Sequence, residues 1–323
     1  MTDMEMSQRN RKFNLGQLLL KYNTIIVLII IFVFFALVKT SFLQTTNLMN
    51  VLRQVSINGI IASGMTLVIL IGGIDLSVGA VAALASVIAA TIANEAQPNW
   101  WIAVPIAILV AAAVGLVTGI FISYLKIAPF IMTLAMMTIA RGLAFTFSNG
   151  KPVSGVHQAF LVFGKGNFLG VPIPAWFLAI IIIFTICLLK YTPLGRFIYA
   201  VGGNETAARN SGINVRAIKV AVYVIAGTCT GIAAVILTSR LSAGLPQVAA
   251  GYELDAIAAV VIGGTSLKGG KGGMVGTVIG VFIIGFINNG MDLMNVASYP
   301  QQIIKGIVII LAVLIDSLKN KVE

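Results

Sequence analysis

The stretch from Trp100 to Leu125 reads WWIAVPIAILVAAAVGLVTGIFISYL and contains no charged residue. A helix needs about 20 mainly apolar residues to cross a hydrocarbon core about 30 Å thick, and this run is longer than that. Ile25 to Val38 and Val171 to Leu189 are uncharged in the same way. Unpaired backbone amides and carbonyls are too costly in lipid, so a spanning segment is either a helix or part of a closed barrel. Barrel strands alternate in polarity, and the run from Ile180 to Ile186 does not. The stretch is therefore read as a membrane helix, and so are the runs like it.

Composition extends that reading to the whole chain. The 323 residues are 59% hydrophobic and 10% charged, where a soluble domain is about one quarter charged. Mean hydropathy is +1.01. The sequence predicts an all-α polytopic membrane protein of about ten transmembrane helices, at 22–40, 54–72, 76–94, 101–123, 128–148, 172–190, 217–239, 253–266, 273–290 and 299–317. The segments 54–72, 76–94 and 253–266 carry many small residues and glycines and are the candidates for short, broken or re-entrant spans. Residues 22–318 read as one membrane domain, between a polar tail 1–21 with no evident cleavage site and a tail 319–323.

With ten spans and both termini cytoplasmic, 14 of the 21 Lys and Arg residues fall inside, among them Arg9, Arg11, Lys12 and Lys21, and 5 fall outside. The positive-inside rule expects that bias. It also explains the net charge of +11 through headgroup contacts. The basic residues are scattered over loops and form no single face, so no nucleic-acid partner is expected.

Enzymatic signatures are missing. His157 has no cysteine or carboxylate near it in sequence, and Cys187 and Cys229 lack metal-ligand spacing, so no metal or cofactor is expected on this chain. The run Gly263 to Gly272 is glycine-rich, but Thr265 stands where a phosphate loop needs its first glycine and Gly272 where it needs Ser or Thr. The acids Asp75, Glu253, Asp255, Asp292 and Asp316 lie near proposed span ends, where capping, snorkelling or loop contacts account for them. A proton-coupled carrier would place an acid in mid-span.

Small residues carry more information. Gly115 and Gly119, Gly227 and Gly231, and Gly276 and Gly280 are G-x-x-x-G pairs, which allow close helix approach. Ile71-Gly72-Gly73-Ile74-Asp75-Leu76-Ser77 and Ile262-Gly263-Gly264-Thr265-Ser266-Leu267 form a faint internal repeat. Gly72, Gly73, Asp75, Ser77, Gly263 and Gly264 are candidates for gating or for structural turns. Asp75 is placed either to cap the next helix or to act in gating or subunit contact.

The segment 190–219 differs from the other loops. Asn204 suits an N-cap, and Glu205 and Arg209 are spaced for an i,i+4 pair in the favourable order. Gly212 suits a left-handed stop. A short exposed helix is predicted over 204–212, serving either as a docking element or as an interfacial linker.

At Glu205-Thr206-Ala207-Ala208 with Gly212-Ile213 following, the loop resembles the motif by which membrane subunits of ABC transporters dock on their ATPases. Together with Gly64 to Gly79 and Gly251 to Gly272, it makes the chain, over roughly 20–318, similar to bacterial ribose-type permeases of monosaccharide ABC importers. That resemblance implies a multi-pass protein of the bacterial cytoplasmic membrane that forms the sugar path and hydrolyses no ATP itself. It implies a second copy of the permease and a cytoplasmic ATPase of duplicated domains that uses ATP and magnesium. It further implies an extracytoplasmic sugar-binding protein seated over loops such as 41–53, 149–171 and 241–252. Asn204, Glu205, Ala207, Ala208, Arg209 and Gly212 would form the coupling segment. Thr206, between Glu205 and Ala207, departs from the Glu-Ala-Ala pattern. D-ribose is the expected cargo; the same family carries xylose, galactose, allose, inositol and a furanose signalling molecule, and an ion-driven sugar carrier or a membrane receptor are the other classes.

Overall fold

The computed structural model describes residues 23–95 and 99–322. In chain order the helices are α1 (Asn23–Val38), α2 (Thr45–Leu70), α3 (Val78–Ile92), α4 (Ala103–Tyr124), α5 (Pro129–Phe147), α6 (Ile173–Tyr191), α7 (Pro193–Gly203), α8 (Glu205–Asn210), α9 (Val215–Leu241), α10 (Tyr252–Ile262), α11 (Met274–Leu293) and α12 (Ser298–Val322). The tail 1–21, with its four basic residues, lies outside the described residues. Residues 319–322, expected to be a tail, continue α12.

The expected ten spans are corrected to six helices long and apolar enough to cross a membrane, among the described residues: α2, α4 with its preceding turn, α5, α6, α9 and α11. Four expected spans drop out: the apolar parts of α1, Thr24–Val38, and of α12, Tyr299–Leu311, are too short among the described residues, and so are α3 and α10. At about 1.5 Å per residue, α3 is about 22 Å long and α10 about 16 Å, both short of a bilayer core. Their residues Val78 to Val87 and Asp255 to Val261 are buried in protein. Lipid and a protein interior select the same apolar side chains, so hydropathy alone merged the two environments.

The expected span 54–72 lies almost wholly within α2, one of the six. Far from being broken, α2 is continuous over 26 residues and is the most buried of the long helices, with α6, α9, α10 and α11 packed around it. Because α2 begins at Thr45, most of the expected outer loop 41–53 is helical. By contrast α5 and α6 bury only about a quarter of their apolar windows and present residues such as Ile131, Ile180 and Ile183 outward.

The G-x-x-x-G pairs act as expected. A Cβ on Gly115 would lie 2.3 Å from the Tyr223 carbonyl oxygen, and one on Gly227 would lie 2.4 Å from that of Ala111, so α4 and α9 cross glycine face to glycine face. On α11, Gly276 and Gly280 meet the backbone of Gly263 and Ala259. Such approach maximises dispersion contact where lipid gives little hydrophobic drive.

One end of the bundle is closed by two small antiparallel pairs that the all-α expectation did not include. Val153–Ser154 pairs with Ala243–Gly244, and Asn167–Phe168 with Val171–Pro172. Arg53 donates to Asn167 at 2.9 Å, and Arg141 donates to the carbonyls of Pro246 and Val248 at 2.7 and 2.9 Å, fastening these loops to α2 and α5. His157 is a local cap, accepting from the Ala159 amide at 3.1 Å. Of the two free cysteines, Cys229 is buried and Cys187 is exposed.

Candidate functional site

The opposite end holds the segment singled out in the sequence. Asn204 has extended backbone, and its Oδ1 accepts from the Ala207 amide at 2.9 Å, satisfying a free donor of α8. Gly212 has φ +83°, with the Ile213 amide bonded to the Ala208 carbonyl at 3.1 Å and the Gly212 amide to that of Arg209 at 3.0 Å. That is a Schellman stop, and it needs a residue tolerant of left-handed backbone. Ala208 is buried, whereas Asn204, Thr206, Ala207 and Arg209 are exposed.

Glu205 makes two ion pairs, to Arg209 at 2.8 Å and to Lys219 at 2.6 Å. The first is the exposed i,i+4 pair and contributes about 0.3–0.5 kcal/mol. The second ties α8 to the start of α9. The Lys219 hydrogen bond is the main reason the Glu205 carboxyl titrates below its usual value of 4.5. A depressed carboxylate contributes stability above the usual value, and that contribution is lost as pH falls through its lowered one. The seating of α8 on α9 is therefore expected to be flat from about pH 5.5 to 8 as far as this group is concerned. Glu205→Lys places a cation at the helix N-terminus beside Arg209 and Lys219, so the melting temperature should fall. An unchanged melt would remove Glu205 from holding α8 to α9.

The two Gly-Gly stretches end α2 and α10 in the same way. The Gly73 amide bonds to the Val68 carbonyl and the Gly72 amide to that of Ile69, both at 2.9 Å; Thr265 bonds to Val260 at 3.2 Å and Gly264 to Val261 at 2.8 Å. Gly72 (φ +76°) and Gly264 (φ +88°) take the left-handed position. The repeat is thus offset by one residue, using the first glycine in one copy and the second in the other.

These turns meet α7 in a joint made of main chain. The Gly270 amide donates to the Leu70 carbonyl at 2.9 Å. A Cβ on Gly202 would lie 1.8 Å from that same oxygen and 2.6 Å from the Gly270 nitrogen. One on Gly269 would lie 2.9 Å from both the Gly202 oxygen and the Gly72 nitrogen. The end of α2, the turn after α10 and the end of α7 are therefore in backbone contact, and α8 follows α7 directly.

Asp75 is buried, and its Oδ1 accepts from the Ser77 amide at 2.8 Å and the Ser77 hydroxyl at 2.6 Å. It closes a turn one residue ahead of α3, whose own N-cap, Ser77, makes no side-chain cap bond. Asn can keep the accepting oxygen and Ala cannot. Asp75→Ala is expected to cost about 1–2 kcal/mol of stability in thermal melts, with Asp75→Asn close to wild type. Equal loss in both would give the charge itself the greater weight.

Two buried polar features were not found in the sequence. Tyr223 is fully buried with its hydroxyl against Gly73, where a Cβ would lie 2.7 Å from it. Asp255, expected near a span end with capping, snorkelling or loop contacts, is 3% exposed and pairs with Lys305 at 2.9 Å and Asn288 at 3.3 Å. Lys305 sits 50 residues away on α12, and no local pattern links the two.

A profile of the family described as "Branched-chain amino acid transport system / permease component" matches residues 47–313. The ribose import permease protein RbsC of Haemophilus influenzae is 44% identical over 97% of this chain and 98% of its own. Its Bacillus subtilis counterpart is 45% identical over 98% of both. The L-arabinose transport system permease protein AraH of Escherichia coli is 38% identical over 96% of this chain and 94% of its own. No solved structure matches the chain. The matched span includes α8 and every helix of the glycine joint. This multi-pass protein of the bacterial cytoplasmic membrane thus belongs to the branched-chain amino acid transport system / permease component family, on the side of it that holds the sugar import permeases.

Proposed function

We propose that the chain is the permease subunit of an ATP-driven sugar importer with D-ribose as its cargo. The observation that carries the sugar assignment is graded similarity: ribose permeases stand at 44–46% identity, and the arabinose and allose permeases at 37–38%, over comparable lengths. In this reading residues 22–318 form one permease domain, 190–219 its coupling segment, and both termini lie in the cytoplasm. Two copies enclose the path, a cytoplasmic ATPase of duplicated domains docks on 204–212 and uses ATP and magnesium, and an extracytoplasmic binding protein delivers sugar at the end closed by 149–171 and 241–252.

The cycle follows from two-state packing. Closure of the ATPase pair moves α8, and the main-chain joint passes that displacement to α2. Loaded binding protein biases the same equilibrium from the far side. Uptake by the reconstituted complex, measured with a panel of monosaccharides, tests it. ATP-dependent entry of ribose above xylose, galactose, allose and arabinose is expected. Preference for another sugar would reassign the cargo, and uptake that survives ATP removal but not collapse of ion gradients would overturn the ATP-driven mechanism.

A further inference from the structure

Between the α4–α5 turn, α8 and the start of α9 lies a cleft of about 320 Å³. Lys126, Arg209, Arg216 and Lys219 line it, with Glu205 as the one acid. Glu205 is spent on Arg209 and Lys219. Among the described residues no carboxylate pairs with Lys126 or Arg216, and the Arg216 guanidinium lies over the Tyr124 ring at 5.4 Å. Lys126 holds φ +57°, a left-handed geometry that costs a lysine about 1–2 kcal/mol and persists where the surroundings impose it.

Two further observations point to an anion. The cleft is bordered by the N-termini of α5, at Pro129, and of α9, at Val215. These are the positive ends of two long helices, and the first has no side-chain cap. The Ser123 hydroxyl, on a residue 7% exposed that lines the cleft, has no partner among the described residues. Next to it Leu125, Phe130 and Ile131 are more than half exposed. The site therefore sits where the apolar belt meets the polar face.

We propose that this cleft binds the phosphate of an anionic phospholipid, with Lys126 and Arg216 neutralising the phosphate, Ser123 donating to it, and the acyl chains lying on Leu125, Phe130 and Ile131. Basic pockets between membrane helices take anionic headgroups in this way. Because Glu205, Arg209 and Lys219 form one wall, an occupied cleft holds α8 against α9, and lipid composition then sets how firmly the coupling segment is seated. The site does not depend on which sugar the protein carries.

The purified full chain in detergent would be titrated with short-chain phosphatidylglycerol, short-chain phosphatidylcholine and inorganic phosphate, reading retained lipid by native mass spectrometry and the melting temperature. Phosphatidylglycerol is expected to be retained and to raise the melting temperature, phosphatidylcholine to do neither, and K126Q/R216Q to weaken phosphatidylglycerol binding at least tenfold. The charge-keeping K126R/R216K should retain it, and if K126Q/R216Q does not fold, K126Q alone, at an exposed position, is read by the same comparison. Equal retention of both lipids, or phosphatidylglycerol binding unchanged in the neutral variant, would overturn the site. Inorganic phosphate matching phosphatidylglycerol would reassign it to a soluble anion. Loss of ATPase capture by the neutral variant, with no lipid bound by the wild type, would make the cleft part of the docking face.

Discussion

Gly202→Ala is expected to lower substrate-stimulated ATP hydrolysis and uptake at least about tenfold, equivalent to about 1.4 kcal/mol, with permease still present in the membrane. The added Cβ would lie 1.8 Å from the Leu70 carbonyl oxygen, and that atom is main chain, so no side-chain rotation relieves the clash. The joint must open, and overpacking of this kind costs about 1–3 kcal/mol. Alanine's better helix propensity returns at most about 1 kcal/mol, so the steric term wins. Gly203→Ala is the control, because nothing lies within 4 Å of its Cβ position; it should stay within about twofold of wild type. If the two variants behave alike, the joint does not carry the proposed movement from α8 to α2.

The second large effect is on stability. Lys305→Met leaves the Asp255 carboxylate, 3% exposed, without its ammonium partner. Breaking one side of a buried pair costs about 3–5 kcal/mol, because the remaining charge is desolvated without compensation. Replacing both partners is often close to neutral. The double change Asp255→Asn with Lys305→Met should therefore recover most of the loss in a thermal melt, Asn288 keeping a polar neighbour at position 255. A double variant no better than the single would mean that α12 depends on the Lys305 side chain for something other than this pair.

How much was legible in the sequence depends on how local each feature is. The helix at 204–212 is specified by Asn204, Glu205, Arg209 and Gly212, all within one or two turns, and its cap, ion pair and left-handed stop appear at those residues. The G-x-x-x-G pairs were legible because a missing side chain on one helix face has few other uses. Span counting overshot in part at α3 and α10, where apolar character records burial in protein, and in part at α1 and α12, whose described apolar runs are short. Gly72, Gly202 and Gly269 lie in three separate segments, and only tertiary structure shows that they meet. Asp255 was visible as an acid near a span end, and its pairing with Lys305 is a long-range contact.

The joint at Leu70, Gly202 and Gly270 also has a consequence for sequence drift. Its interacting surface consists of carbonyls and amides common to every residue type, so no compensating change in a neighbouring side chain can rescue a substitution there. In a saturation-mutagenesis experiment its glycines would stand out as intolerant positions, with no second-site suppressors among the side chains around them.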